Sequence, residues 1–354
     1  MECVLCVNAI CYLFRGIPKQ AVYLFSVLMV RKLALRLLIF CLLPLPFLIS
    51  LNYIVDAGLK KSRNYYYTEW NDIFNSKINA DLLIIGSSRA WIHISPKILD
   101  SVLNVNSYNI GMDASHFLMQ NARFKLYLKY NKKPKYVIVS VDLTSFSESK
   151  EIPFPLQFLP YLNNPDIKNM TTGFDNSFSF AQRYFPLYKY NNQPELFTDG
   201  LNAYFDRIKV DTPCKYKGYI GAQRTWDNTF DQYKKAHPAS EKLNVSSISQ
   251  NEFKKFLNYC KINNINPIMV FTPVFHESLK YISNSSEILN FYKNISVQYK
   301  IPLLNYASDS LTYERRYFFN SQHLNKVGSE VFSHKLAIDL KKVVINKPLP
   351  AFNF

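Results

Sequence analysis

Short apolar runs alternate with longer stretches of apolar residues at helical spacing through most of the chain after residue 79. The first three short runs end at glycine or aspartate, which is typical of buried strands that enter turns. The pattern predicts strands at residues 81–85, 107–110, 136–141, 267–271 and 302–306. It predicts helices at residues 96–103, 116–130, 251–263 and 285–299, and a final helix from after residue 324 to about residue 344. Strands alternating with helices of this length predict an α/β fold, a three-layer sandwich around a mainly parallel sheet.

Two regions interrupt this alternation. Residues 56–78 form a polar, aromatic connector, and residues 146–247 are rich in Pro, Asn and aromatic residues without sustained periodicity. A structureless loop of the second length is uncommon inside a compact domain, so we predict an inserted cap subdomain there. The insertion divides the α/β domain into residues 79–145 and 248–346, and residues 347–354 form a tail.

The longest apolar run covers residues 37–55, which carry no charge and are long enough to cross about 30 Å of hydrocarbon as a helix. Basic residues precede the run, and the positive-inside rule then predicts that residues 1–36 are cytoplasmic. Everything after about residue 57 is predicted to be exported. A cleaved signal peptide is the alternative, but the run is long and no small-x-small cleavage pattern follows it. The basic residues are Arg31, Lys32 and Arg36.

The first 28 residues form a second, interrupted apolar stretch with half of the cysteines, and Met29 begins a sequence that itself resembles the start of a membrane-anchored bacterial protein. Met29 is therefore an alternative start. In the exported part, Cys214 and Cys260 are able to form a disulfide in an oxidising compartment if they approach each other. The exported part has no CxxC motif or Cys/His cluster that indicates a metal, so we expect neither a metal nor a cofactor.

Composition and charge narrow the class of partner. Hydrophobic residues make up 48% of the chain and aromatic residues 16%, which excludes a disordered chain. The formal charge of +16 is spread along the chain, without zinc-finger spacing, an RNP-type motif or a basic helix, so we expect no nucleic-acid partner. A polyanionic cell-envelope surface suits this charge.

Polar residues collect where the predicted strands end. Ser88 follows the first strand, Gly111 and Asp113 follow the second, and Asp142 follows the third. In open parallel sheets, ligands bind outside these carboxyl ends, so the three loops are predicted to meet at one crevice. The segment "FFNSQHLN" at residues 318–325 precedes the final helix and supplies a fourth loop.

A serine at a tight strand-to-helix turn is the arrangement that a nucleophile requires, and a histidine is the usual base that takes its proton. His323 is the best candidate base, with Asn320 three residues earlier as its orienting group, and His276 is the second candidate. The alternatives are structural, since Ser88 can cap the following helix and Asp142 can cap a turn. The other histidines match no motif and are expected to be surface or packing residues: His93, His116, His237 and His334.

Together these motifs resemble the SGNH/GDSL family of esterases and acyltransferases, whose fold is flavodoxin-like. The first family block is similar to Gly86-Ser87-Ser88-Arg89, the second to "YNIGMDAS" at 108–115, the third to "VIVSVD" at 137–142, and the last to "NSQHLNKVG" at 320–328. The resemblance covers about residues 79–145 and 250–344. It implies that Ser88 is the nucleophile, that His323 is the base, and that backbone N–H groups of Ser88 and of Gly111 or Ala114 form the oxyanion hole.

Three positions depart from the family pattern. Asn320 stands at the usual triad Asp, Ala114 at the usual second-block Gly, and Asp142 at the usual third-block Asn. An Asn orients the imidazole through its carbonyl oxygen but cannot offset the imidazolium charge. A carboxylate at Asp142 repels an oxyanion unless it is protonated, turned away or paired with a base such as Arg89.

The anchored layout is similar to D-alanyl transfer proteins and alginate-type acetyltransferases of bacterial envelopes. It implies an exported esterase or O-acyltransferase in the bacterial cytoplasmic membrane, acting on acyl esters of an envelope glycan or glycolipid, with a multipass acyl-donor protein as a partner. The alternative is a catalytically silent binding or assembly component of a polysaccharide machine. Trp91 and the aromatic residues of the insertion are candidates for stacking on sugar rings, with core packing as their alternative role.

Overall fold

A computed structural model describes residues 19–64, 66–207 and 215–345, and its centre is one sheet of five parallel strands. The strands follow the order β2-β1-β3-β4-β5, so the chain crosses from one side of β1 to the other after β2. The predicted α/β fold with a parallel sheet is confirmed. The strands are β1 Leu82–Gly86, β2 Ser107–Asn109, β3 Tyr136–Val141, β4 Asn266–Phe271 and β5 Leu303–Asn305.

Helices cover both faces of this sheet and precede it in the chain. They are α1 Lys19–Leu42, α2 Leu45–Leu59, α3 Thr68–Phe74, α4 Ser88–His93, α5 Pro96–Leu103, α6 Phe117–Tyr130, α7 Pro165–Met170, α8 Phe180–Tyr184, α9 Pro194–Tyr204, α10 Thr229–Ala236, α11 Ser247–Ile262, α12 His276–Tyr281, α13 Ser285–Tyr299 and α14 Lys326–Ile345. Short 3₁₀ turns lie at Pro155–Tyr161, Tyr188–Tyr190, Ser310–Tyr313 and Arg315–Tyr317.

The two faces of the sheet form two hydrophobic clusters, because successive side chains of a strand point to opposite sides. In β1, Leu83 and Ile85 join one cluster with residues of α3, α6, α11 and α13. Leu82 and Ile84 join the other, with residues of α4, α5 and α14. Strands that are apolar on both faces are those expected between two helical layers.

The apolar N-terminal run forms two helices instead of the single predicted helix at 37–55. Proline has no backbone N–H and clashes with the preceding turn, and Pro44 accordingly separates α1 from α2. The stretch Val27–Leu59 is long and apolar enough to cross a membrane. It extends beyond the predicted range at both ends, and its last turn, from Val55, is buried in the domain.

The predicted insertion folds as short helices and turns. Phe158, Tyr161 and Ile167 are buried in the same hydrophobic cluster as the sheet, so this part shares the core of the α/β domain. Its assignment as a separate cap subdomain stays a prediction. Cys260 is buried in α11, whereas Cys214 lies outside the described residues, and with it the predicted pairing.

Candidate active site

Ser88 lies at the sharp turn between β1 and α4. Gly86 has φ +151°, and a Cβ there would lie 2.8 Å from the side chains of Ala90 and Ser140, so only glycine fits this turn. Ser87, not Ser88, caps α4, because its hydroxyl accepts a hydrogen bond from the N–H of Arg89 at 3.3 Å. Ser87 therefore fills the helix-capping role that was the structural alternative for Ser88. The Ser88 hydroxyl contacts His323 instead.

The structure brings Ser88, His323 and Asn320 together in one hydrogen-bonded row. Ser88 Oγ lies 2.8 Å from His323 Nε2, and His323 Nδ1 lies 3.0 Å from Asn320 Oδ1. Asn320 Oδ1 also accepts the backbone N–H groups of Gln322 at 3.0 Å and His323 at 2.9 Å. In an amide side chain, only the oxygen accepts hydrogen bonds, so the two backbone N–H groups fix which end of the Asn320 amide faces His323. Nδ1 therefore carries the proton, and Nε2 is free to accept the proton of Ser88.

Burial and a nearby cation lower the basicity of His323. Burial of the imidazole, with the Arg89 guanidinium close by, lowers the pKa of His323 to about 4, although Asp142 opposes this shift. The ring is consequently neutral near pH 7, which is the state that accepts a proton. Asn320 supplies no charge to stabilise the imidazolium that forms afterwards.

A second histidine, His93, holds the loop of His323 in place. Its Nε2 accepts the backbone N–H of Leu324 at 3.0 Å, and its Nδ1 lies 2.9 Å from Thr272 Oγ1. His93 is fully buried, and its ring meets that of His323 edge to face at 6.0 Å. From the sequence, His93 was expected to be a surface or packing residue. Its position five residues after Ser88, on the same short helix, was the one available signal.

Asp142 is turned away from the Ser88 hydroxyl. Its Oδ2 accepts the Ser87 hydroxyl at 2.6 Å, and its Oδ1 accepts the N–H and hydroxyl of Thr144, both at 2.9 Å. A carboxylate at this position is compatible with an oxyanion if it is protonated, turned away or paired with a base. The geometry shows the second case, because both carboxylate oxygens accept hydrogen bonds from other donors. Asp142 thus buttresses the serine turn.

Arg89 is not in the crevice but behind it. Its guanidinium donates to the hydroxyl of Thr272 at 3.2 Å and to the carbonyl of the same residue, and lies 4.7 Å from the Phe271 ring centroid. Complete burial lowers the pKa of Arg89 to about 10, so the group stays charged at neutral pH. Its influence on the site is the electrostatic lowering of the His323 pKa.

Three backbone N–H groups are candidate oxyanion donors, and those of Gly111 and Ala114 already have acceptors. As the first residue of α4, Ser88 has an N–H without an acceptor inside the helix. The N–H of Gly111 donates to Asn109 Oδ1 at 2.9 Å, which commits it elsewhere. Ala114 has φ +49°, a left-handed conformation that favours the glycine of the family pattern, so a strained backbone is kept at this position.

Asp113 lies next to Ser88 and was assigned no role from the sequence. Burial raises the pKa of Asp113, whereas hydrogen bonds with the Ala114 N–H and with Ser88 act in the opposite direction. The single proton of the Ser88 hydroxyl thus has two acceptors within reach, Asp113 and His323 Nε2. The carboxyl group therefore shares its immediate surroundings with the candidate nucleophile and the candidate oxyanion donor.

A cavity of about 510 Å³ opens beside His323. Phe319 stacks on the imidazole, with ring centroids 5.4 Å apart and nearly parallel planes, and Arg224 lies 4.6 Å from the Phe319 ring centroid. The cavity size is typical of small-molecule sites. Its walls come from α4, the 319–323 loop and the segment 220–224: Trp91, Ile92, Asp113, Ile220, Gly221, Ala222, Gln223, Arg224, Phe319, Asn320 and His323.

A second, smaller cavity of about 40 Å³ shares Trp91 and Asp113 with the first. Glu69 and Lys215 form a buried ion pair at 2.9 Å on its wall. Arg123 also lines it and lies 4.3 Å from the Trp70 ring centroid. The site is thus flanked by an open, largely apolar cavity on one side and a tight, charged one on the other.

Other candidates from the sequence lie away from the serine. His276, the second candidate base, is 3.2 Å from the carbonyl of Thr312 through Nδ1 and stacks on Tyr313. Trp226 packs against Phe275, with ring centroids 4.9 Å apart. Trp91 lines both cavities, and its stacking on a sugar ring stays a prediction.

No family model and no curated protein sequence matches this chain. Among solved structures, it is similar to a protein described as lipolytic, of the G-D-S-L family, from Desulfitobacterium hafniense, with 12% identity and a TM-score of 0.35 over 73% of this chain and 97% of the other. An acylhydrolase from Bacteroides fragilis gives 12% identity and a TM-score of 0.37 over 79% and 98%. A protein described as a platelet activating factor from Streptococcus pneumonia gives 11% and 0.35 over 87% and 99%. At these TM-scores nothing about activity or substrate transfers to this chain.

Proposed function

We propose that this protein is an exported, membrane-anchored SGNH-like esterase or O-acyltransferase that uses Ser88 as its nucleophile. The observation that carries the proposal is the hydrogen-bonded row in which Ser88 Oγ lies 2.8 Å from His323 Nε2 and His323 Nδ1 lies 3.0 Å from Asn320 Oδ1. A hydroxyl becomes an effective nucleophile when an oriented base accepts its proton, and this row supplies both parts.

In the proposed reaction, Ser88 Oγ attacks the carbonyl carbon of an acyl ester while His323 Nε2 takes its proton. The N–H of Ser88 holds the resulting oxyanion. The tetrahedral intermediate collapses, and His323 gives the proton to the departing alcohol. His323 then takes a proton from water or from a glycan hydroxyl, whose oxygen attacks the acyl-enzyme. The bond between the acyl group and Ser88 Oγ breaks, His323 returns the proton to Ser88, and an acid or a new ester is released.

The proposed setting is the bacterial cytoplasmic membrane, with residues before the apolar helix in the cytoplasm and the α/β domain outside. The apolar stretch Val27–Leu59 and the basic residues before position 37 support this topology. The formal charge of +16 supports an anionic envelope glycan or glycolipid as the substrate. A multipass membrane protein is the proposed source of acyl groups for the transferase reaction.

A catalytically silent assembly or glycan-binding component is the second candidate function. It is favoured by Asn320, because the usual carboxylate that stabilises an imidazolium is missing from this position. The two functions differ in whether an ester is turned over at Ser88.

Hydrolysis of 4-nitrophenyl acetate by the purified full-length chain tests the proposal. We expect hydrolysis above background, and a loss of at least about 10²-fold in Ser88→Ala and in His323→Ala, because the serine–histidine pair acts as a unit. His276→Ala, which alters a histidine outside the row, is the control and should retain the wild-type rate. Equal rates for wild type and Ser88→Ala would favour the silent component.

A further inference from the structure

The apolar helix α2 passes gradually from an exposed surface into the domain. Its residues up to Ser50 are mostly exposed, those from Leu51 to Ile54 are mostly half-buried, and Val55 is buried. A helix that leaves a bilayer has an exposed apolar surface along its membrane-spanning part. This surface ends where the helix enters the domain. The boundary of the proposed membrane therefore falls close to Asn52.

The last turns of α2 are fixed rigidly to the domain. Asp56 is buried and accepts hydrogen bonds from Lys189 at 2.7 Å and from the hydroxyl of Tyr190. A Cβ on Gly58 would overlap the carbonyl of Gly200 in α9, so the two helices cross in direct backbone contact. Truncation of a buried, paired charge or separation of these helices is costly, so the anchor and the domain move together.

Four exposed aromatic residues lie in the segment 180–188, which contacts this helix at Asn52. The exposed fractions are 68% for Phe180, 55% for Tyr184 and 56% for Phe185, and Tyr188 is also exposed. The ring of Phe180 is 4.7 Å from that of Tyr184 and 6.1 Å from that of Phe185, centroid to centroid. We call these four residues the aromatic surface.

A strained turn connects the aromatic surface to the helix. Leu187 has φ +64°, and its N–H donates to Asn52 Oδ1 at 3.1 Å. A bulky residue adopts a left-handed conformation only where its surroundings hold it there, and here the bond to α2 does so. In the sequence, Phe185 and Tyr188 flank Leu187, which contacts the helix.

We propose that the aromatic surface lies in the headgroup region of the bilayer that α2 crosses, so that the domain is attached to the membrane at two points. Tyrosine and other amphipathic rings concentrate at this depth, and a contiguous exposed aromatic patch on a soluble surface is otherwise uncommon. The occupant is lipid and not another protein, because Leu187, which Phe185 and Tyr188 flank in the sequence, is hydrogen-bonded to Asn52, where α2 becomes exposed. The inference rests on the proposed membrane anchoring but not on chemistry at Ser88.

Two-point attachment has a consequence for the substrate. In α3, Asn71 donates to the carbonyl of Leu59 at the end of α2 at 3.0 Å, and Glu69 of the same helix lines the smaller cavity. The site is therefore held close to the membrane surface in one orientation. Such a site is suited to an acyl acceptor or donor that is itself attached to the membrane.

Photo-crosslinking in liposomes tests the proposal. The full-length chain is reconstituted in phosphatidylethanolamine–phosphatidylglycerol vesicles with p-benzoylphenylalanine in place of Phe185, and lipid adducts are measured by mass spectrometry. Phe205 is the matched control: it is 52% exposed and adjoins Tyr204, over which Lys61 lies at 5.2 Å. A Cβ on Gly58 would lie 2.9 Å from the backbone nitrogen of Tyr204, and Gly58 follows Asn52 by six residues in α2, so Phe205 lies roughly 9 Å farther from the membrane.

We expect at least about fivefold more lipid adducts at position 185 than at position 205. Equal yields at the two positions, or a chain that carbonate extracts from the vesicles, would overturn the proposal. The replacement is close in shape to phenylalanine and lies on the surface, so folding is preserved. The outcome is independent of the enzymatic proposal, since a lack of ester hydrolysis changes neither adduct yield.

Discussion

At the scale of single residues, the proposed catalysis depends on whether the Asn320 amide orients His323 as a carboxylate would. In a serine protease, the equivalent Asn costs about 10⁴ in turnover because the amide enforces the wrong histidine tautomer. Here two backbone N–H groups hold the amide oxygen toward His323, at 2.9 and 3.0 Å, so the correct tautomer is retained. What is missing is the negative charge.

Asn320→Asp should therefore raise ester hydrolysis, by roughly 10- to 100-fold, since it adds charge without changing the hydrogen-bond geometry. In the wild type, His323 has a pKa of about 4, so activity should persist at pH 5 and fall as the pH drops through about 4. The added carboxylate raises this pKa, so the acid limb of the variant should move to higher pH.

Rates of 4-nitrophenyl acetate hydrolysis between pH 4 and 8 measure both effects. Asn320→Gln is the control, because it lengthens the side chain without adding charge and should lower the rate. An Asn320→Asp variant that is slower than the wild type, with an unchanged acid limb, would mean that the site is built around the amide.

The sequence pointed to residues that the structure brings together where the signal was local. Ser88 was identifiable because it follows a strand and a glycine turn, and Asn320 and His323 because they are three residues apart before a helix. His93 and Arg224 were missed, because their contacts with Leu324 and Phe319 join segments that are distant in sequence. The orientation of Asp142 was left open for the same reason, since its partner Ser87 is 55 residues away.

At the scale of elements, the prediction placed the five strands and the longer helices of the α/β domain but missed two helices of six residues. The ranges of α5, β3 and α13 agree with the sequence pattern, because β-branched runs and helical spacing are strong signals over six or more residues. Helices α4 and α12 have six residues each and were not predicted. Six residues make fewer than two turns, so their existence depends on caps and tertiary packing.

The crossing of α2 and α9 supplies a prediction at this scale. Gly58→Ala places a methyl group where the carbonyl of Gly200 lies, so the helices must separate and stability should fall by about 2 kcal/mol or more. In a helix without this contact, the same change would stabilise by about 0.5–1 kcal/mol. A loss of stability in Gly58→Ala would therefore support the direct contact between α2 and α9, and a gain would not.

Thermal unfolding of the detergent-solubilised chain measures this effect. Thr198→Ala, on the exposed side of α9, is the control and should leave the melting temperature nearly unchanged. A higher melting temperature in Gly58→Ala would contradict the close helix crossing.

At the scale of the whole molecule, the buried His93 and the half-buried His323 make folding stability depend on pH. Burial lowers the pKa values of both His93 and His323 below the value near 6.5 expected in the unfolded chain. Below pH 6.5 the unfolded chain therefore binds more protons than the folded one. The contribution of these groups to stability is complete above about pH 6.5 and is lost as the pH falls toward about 4.

We expect the melting temperature to fall by several degrees between pH 7.5 and pH 5, with about 1 to 2 kcal/mol lost at pH 5 through His323 alone. Most carboxylates have intrinsic pKa values below this window, which isolates the histidines. Thermal unfolding in detergent at the two pH values measures the difference. An unchanged melting temperature would show that both imidazoles are accessible to protons in the folded chain.

The overall arrangement was only partly predictable. The parallel sheet followed from the alternation of elements, but its strand order depends on which helices cross which face. The apolar helix was identifiable by composition, whereas the burial of its last turn depends on Asp56 meeting Lys189, 133 residues away. Long-range pairings of this kind leave no periodic trace in the sequence.

The central claim is that Ser88 is an activated nucleophile, and covalent labelling tests it most directly. The purified full-length chain is treated with a fluorophosphonate, digested, and the modified peptide identified by mass spectrometry, alongside Ser88→Ala and Ser87→Ala. We predict an adduct on Ser88 in the wild type, retained in Ser87→Ala and absent in Ser88→Ala. Equal labelling of the wild type and Ser88→Ala, or no adduct on Ser88 in the wild type, would contradict the account.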